Sequence, residues 1–137
     1  MTGAIHRGGC QCGAVRFVAS GQASNVGYCH CRICQRTTGA PVTVWGDWDV
    51  QRFRFTSKQH PRVFASSAHG RRWFCEQCGA SIGYMDERAP RIVEINILAL
   101  DDPGEIAPSH HSWTASSVSW FEIADRLPRH EEDGPAG

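Results

Sequence analysis

Arg72-Trp73-Phe74-Cys75-Glu76-Gln77-Cys78-Gly79 places two cysteines three positions apart and follows them with a glycine. A two-residue spacer lets both sulfurs reach one ion at about 2.3 Å, and glycine permits the turn that points backbone amides at thiolate. Cys10-Gln11-Cys12-Gly13 ends in the same glycine with a tighter spacer. Its sulfurs converge if the backbone turns between them, because an extended strand would hold residues i and i+2 about 6–7 Å apart along one face. Together Cys10, Cys12, Cys75 and Cys78 supply the four sulfurs of a closed structural zinc site. Such a site ties the N-terminal strand to the middle of the chain, so its loss should unfold the domain.

The remaining cysteines differ in kind. Cys29-His30-Cys31-Arg32-Ile33-Cys34 packs three of the chain's seven cysteines into six residues, so one turn can wrap all three around a cation. Three protein ligands are the mark of a reactive zinc, whose fourth position takes water or substrate. A second partition remains open, in which Cys31 and Cys34 join Cys75 and Cys78 as a zinc ribbon and Cys10, Cys12 and Cys29 are left over. His30 sits between two proposed ligands, and its ring should point away where theirs point in. His110 and His111 are further candidates for a fourth ligand or a catalytic group.

The 137 residues suit one domain with one modest core. Fourteen Lys and Arg balance fourteen Asp and Glu, which removes the basic footprint of a nucleic-acid binder. No apolar run approaches the ~20 residues of a membrane span, and Met1 to Gly9 lacks a basic-then-apolar leader, so a cytoplasmic protein is expected. In that compartment an odd number of closely spaced cysteines reads as metal ligands rather than disulfides.

Glycines punctuate short β-rich runs at Val15–Val18, Val42–Trp45, Phe53–Thr56, Arg62–Ala65 and Arg91–Ile97. Short helical pieces are expected over Arg32–Thr37 and near Ala115–Trp120. The pattern predicts a mainly β, antiparallel domain over residues 1–128, clipped by zinc, with the tryptophans and phenylalanines in its core and a flexible tail over 129–137. The alternation of Ile92, Glu94 and Asn96 against Val93, Ile95 and Ile97 fits an exposed sheet edge, and with it a homodimer, or equally a buried hairpin.

Taken in order, CxCG, CHCxxC and RxFCxxCG resemble the glutathione-dependent formaldehyde-activating enzyme family, which includes the centromere protein V group. Leu100-Asp101-Asp102-Pro103, Pro108 with His111-Ser112-Trp113, Trp120 and Leu127-Pro128 extend the resemblance over nearly the whole chain. The resemblance implies an Mss4-like fold of coiled antiparallel sheets. It implies structural zinc on Cys10, Cys12, Cys75 and Cys78 and catalytic zinc on Cys29, Cys31 and Cys34. It also implies a carbon–sulfur lyase-type enzyme that joins glutathione or a similar thiol to formaldehyde or another small aldehyde. One departure is Ile97-Leu98-Ala99, where the family usually shows glycine before Leu-Asp.

The expected mechanism ionises the thiol at the three-cysteine zinc, where its sulfur attacks the carbonyl. Arg32, Arg36, Arg71 and Arg72 are the nearest cations for glutathione's carboxylates. Two rival readings are a non-catalytic protein-interaction module with both metals structural, and a redox-sensitive thiol site.

Overall fold

The computed structural model describes residues 3–134. Strand β1 (Ile5–Gly9) pairs antiparallel with β2 (Arg16–Ser20), and β2 pairs with β5 (Phe53–Phe55), giving a three-stranded sheet. The other sheet has seven strands in the order β10 (His110–Ser112), β3 (Ser24–Cys29), β4 (Thr43–Asp49), β9 (Ile92–Asn96), β8 (Ser81–Asp86), β7 (Gly70–Phe74), β6 (Arg62–Ala65). The one α-helix among the described residues, α1 (Arg32–Thr38), follows β3 and stops at Gly39, whose φ of 78° gives the left-handed cap that glycine adopts freely. The mainly β expectation holds, and among the named strands only β10, which runs parallel to β3, departs from antiparallel pairing.

Alternation decides the two faces of the large sheet. Trp48 from β4 and Val93 and Ile95 from β9 turn toward Phe17 and Ala19 of the small sheet, and this layer is the core. Phe53 and Phe55 close it against Trp73, with ring centroids 5.7 and 5.5 Å apart. The opposite face carries Trp45 and Asp47 on β4, Glu94 on β9, Tyr84 on β8 and Arg72 on β7, with Asp47, Glu94, Tyr84 and Arg72 paired in one row across four strands. Phe17 is fully buried at the centre of the layer. Phe17→Ala is expected to cost about 3–5 kcal/mol of stability, read as a lowered denaturant midpoint at unchanged slope.

Several expectations need correction. The Arg91–Ile97 run forms no sheet edge: β9 lies between β4 and β8, so the dimer argument from that strand lapses. The helical piece near Ala115–Trp120 reduces to a 3-10 turn over Thr114–Ser116, because Ser117 returns to an extended conformation. The aromatics are not all core: Trp120 is 77% exposed, and Phe64 and Phe121 also face solvent.

The expected flexible tail is hydrogen-bonded for most of its described length. Trp113 donates to the Glu132 carbonyl at 2.7 Å and His130 to the His111 carbonyl at 2.9 Å. Gly134 lies so close to the His110 ring that a Cβ there would sit 2.7 Å from it. The last three residues of that tail, and Met1 and Thr2 of the leader reading, lie outside the described residues. No helix among the described residues is long and apolar enough to cross a membrane.

Candidate functional site

Two turns of similar build, one joining β1 to β2 and the other β7 to β8, bring their sulfurs together. In each, the leading cysteine donates its amide to a carbonyl five residues on, Cys10 to Val15 and Cys75 to Ala80, both at 3.0 Å. The glycines that follow, Gly13 and Gly79, have φ of 85° and 79°, so the backbone reverses where the sequence demanded it. The Cys10 and Cys12 sulfurs lie 3.6 Å apart and those of Cys12 and Cys75 3.8 Å apart, while the Val15 amide donates to the Cys10 sulfur at 3.2 Å. A tetrahedral ion with 2.3 Å metal–sulfur bonds has ligand edges of about 3.8 Å, so this four-cysteine group fits a closed zinc site.

Cys29, Cys31 and Cys34 form the second group, with their sulfurs all within 4.8 Å of one another and no histidine or carboxylate among the described residues joining them. The end of β3 supplies Cys29, and α1 brings Cys34 back to it, leaving their sulfurs 3.5 Å apart. Cys31 caps the helix: its sulfur accepts the Cys34 amide at 3.3 Å. Both terminal guanidinium nitrogens of Arg72 donate to the Cys34 sulfur at 3.5 Å. Hydrogen bonds from Cys29 and Cys31, together with the Arg72 charge, hold Cys34 far below the usual thiol range. A compact thiolate set backed by a buried guanidinium also fits a metal ion.

Arg72 is itself fixed. Its carbon lies 5.1 Å from the Tyr84 ring centroid and 5.8 Å from that of Trp45, and its Nε donates to Ser66 at 3.1 Å. Of the four arginines expected near the clusters, Arg32 and Arg72 line the cavity at the thiols, while Arg71 pairs with Glu87 at 2.9 Å and Arg36 does not line it.

His30 and His111 pair with each other rather than joining the sulfurs. His30 Nε2 lies 2.8 Å from His111 Nδ1, and His111 Nε2 lies 3.0 Å from the Asp125 carboxylate, which also pairs with Arg129. With Asp125 ionised, His111 donates from Nε2 and accepts from His30 through Nδ1. Burial, followed by the neighbouring His111, lowers the His30 pKa, consistent with a neutral ring. His111 stacks on Tyr28 at 4.6 Å and on His30 at 5.1 Å, so the chain of groups locks the C-terminal segment to the loop that carries Cys29 and Cys31. His111→Phe preserves the stacking but orphans the His30 donor. It is expected to lower stability by about 1–3 kcal/mol, measured by urea unfolding.

The three sulfurs open into a cavity of about 730 Å³ floored by Trp45, Tyr84, Arg72 and Glu94 and walled by Trp113 and His110. That volume accommodates a small peptide or metabolite. Ile97-Leu98-Ala99, the departure noted in sequence, forms a 3-10 turn whose Ala99 carbonyl faces Gly8 and which does not line this cavity. Apart from Arg72, sequence reasoning missed the floor. Glu94 was legible only as the polar member of an alternating strand, and nothing local distinguishes a polar residue facing a cavity from one facing bulk solvent.

A model of the glutathione-dependent formaldehyde-activating enzymes matches residues 5–116. A Halomonas elongata protein carrying the provisional name of glutathione-dependent formaldehyde-activating enzyme is 31% identical over 127 residues, covering 87% of this chain and 81% of its own length. Among solved structures, a Rhodobacter sphaeroides protein superposes with a TM-score of 0.57 at 21% identity, over 69% of this chain and 87% of that one, which speaks to fold alone.

Proposed function

Since the chain belongs to the glutathione-dependent formaldehyde-activating enzyme family, we propose that it is a zinc enzyme that joins the thiol of glutathione, or of a close analogue, to formaldehyde or another small aldehyde. The observation that carries this reading is a three-cysteine group opening into a cavity large enough for a peptide thiol. Cys10, Cys12, Cys75 and Cys78 would hold the structural ion, and Cys29, Cys31 and Cys34 the reactive one. A zinc ion on three cysteines supplies Lewis acidity that draws a thiol toward its ionised form near neutral pH.

The overall reaction is an addition. The thiol loses its proton, its sulfur forms a bond to the carbonyl carbon, and the carbonyl π pair moves to oxygen, which takes up a proton. The reverse direction breaks the carbon–sulfur bond, a lyase step. The chain's own groups bind and orient. Arg72 donates to Cys34 and holds that ligand in place, Trp45 and Tyr84 hold Arg72, and the Asp125–His111–His30 chain fixes the loop between Cys29 and Cys31. Trp45, Tyr84 and Trp113 line the space above the sulfurs with aromatic surface.

Cobalt in place of zinc provides the test. Glutathione should change the thiolate-to-cobalt bands of one of the two ions and leave the other untouched, and the protein should accelerate loss of free formaldehyde at fixed glutathione over the spontaneous rate. A spectrum indifferent to glutathione and to other thiols, with no acceleration, would refute the assignment and leave the interaction-module reading.

A further inference from the structure

Glu94 stands on the cavity floor, paired across the sheet with Asp47 on β4 and Tyr84 on β8. Strand alternation sends its side chain to this face while Val93 and Ile95 on either side enter the core. Two acids set directly opposite each other destabilise a sheet when both are charged, and Asp47 is buried and Glu94 half-buried. Glu94 nevertheless has no partner: among the described residues no hydrogen bond engages its carboxyl. The side-chain polar atoms buried without a partner are oxygens of Asn25 and Asp47 alone among the described residues, so the Glu94 oxygens open to the cavity.

Addition of a thiol to an aldehyde leaves negative charge on an oxygen two bonds from the sulfur, and that oxygen needs a proton. A donor must share the cavity with the three cysteines, stand unpaired and hold a transferable proton near neutral pH. The arginines that line the cavity keep theirs. Asp86 is ionised, since hydrogen bonds from Arg88 hold its pKa down to about 2. Burial, then the charges of Asp86 and Glu94, push the Tyr84 hydroxyl above its usual range, so it parts with its proton less readily than an ordinary phenol. Burial lowers the His110 pKa, and its ring is wedged between Gly27 and Gly134, where an added Cβ would lie 2.5 and 2.7 Å from it. Glu94 meets all three conditions. Burial first, then the charges of Asp47 and Cys34, raise its pKa to about 8, with exposed Asp133 adding to the shift and Arg72 opposing it.

Resting on the reading of the cavity as the place where a thiol meets an aldehyde, we propose that Glu94 is the proton donor of the addition. The sulfur forms its bond to the carbonyl carbon, the π pair moves to oxygen, and the protonated Glu94 carboxyl gives that oxygen its proton. The carboxylate left behind takes a proton from water, replacing the one the thiol released on ionising, so the sum is the addition with no net change in protons. In the reverse direction the carboxylate takes the hydroxyl proton as the carbon–sulfur bond breaks. Arg72 joins the two ends of the site: it donates to Cys34 at 3.5 Å and lies over Tyr84, the cross-strand partner of Glu94. Its positive charge favours the carboxylate that each forward step leaves behind.

Glu94→Gln keeps the side-chain shape and removes the acid. In the zinc-loaded protein at saturating glutathione and formaldehyde, turnover above the spontaneous rate should fall about 100-fold, the low end for a positioned acid because water also protonates a small alkoxide. Metal content and the KM for glutathione should stay as in the parent. Parent turnover should decline as pH rises through about 8, because the donor is the protonated form, and the variant should lose that decline. Turnover within about threefold of the parent, or the same decline in the variant, would overturn the proton donor and leave the thiol–aldehyde reading standing. A parent protein that gives no acceleration at all refutes that reading, and the donor with it. Should the variant lose metal, carbon-13 titration of the parent's carboxyls decides: a Glu94 midpoint above about 7 supports the donor, and one below it, an acid already ionised at neutral pH, rejects it.

Discussion

Replacing Cys75 with serine should leave the chain without a stable fold. Serine is nearly isosteric with cysteine, so packing alone predicts a mild effect. Yet Cys75 is fully buried within the main core, and its sulfur stands 3.8 Å from that of Cys12, 63 positions away. A structural zinc contributes on the order of 10–16 kcal/mol in small metal-dependent domains, against a total stability of about 5–15 kcal/mol for a typical domain. Losing one of four ligands should therefore remove more than the fold can spare. The expected result is loss of the cooperative thermal transition and of near-ultraviolet circular dichroism, with metal content falling below one ion per chain. A variant that keeps a cooperative transition within about 5 °C of the parent would show that the cysteine group does not stabilise the fold.

Replacing Cys31 with serine should do the opposite, abolishing activity while sparing the fold. Cys31 caps α1 by accepting the Cys34 amide, and serine is among the best residues at that position, so the helix start is preserved or improved. What is lost is one thiolate of three. Activity should drop to the spontaneous rate, metal content should fall from two ions to one, and the unfolding free energy should stay within about 1 kcal/mol of the parent. The contrast between the two serine variants is the informative quantity. Equal destabilisation by both would mean that the two cysteine groups share one architectural task and that no reactive ion is separately held.

The loop chemistry was open to reading because it is local. Gly13, Gly39 and Gly79 each sit at a positive φ that few other residues adopt, and each follows a cysteine turn or helix whose spacing already required a reversal there. Strands with clean alternation, such as Arg16–Ser20 and Ile92–Asn96, were also legible. Those interrupted by glycine or polar residues were not. β3 carries Asn25 at a bulge, and Gly83 in β8 is required because a Cβ would meet the Trp73 ring at 2.8 Å. Both segments read as loops until their neighbours are known.

Cysteine spacing and the order of the three motifs determined from sequence that the chain is a small β domain of this family with two sulfur clusters, because metal geometry is enforced over a few bonds along the backbone. Which residues share the cavity with those sulfurs was decided only in three dimensions. Glu94, Tyr84 and Arg72 come together through strand pairing between segments distant in sequence. His111 and Asp125 reach His30 only because β10 docks parallel to β3. A pairing partner contributes nothing to a strand's own periodicity, so the floor of the cavity is written in the packing and not in any one stretch of the chain.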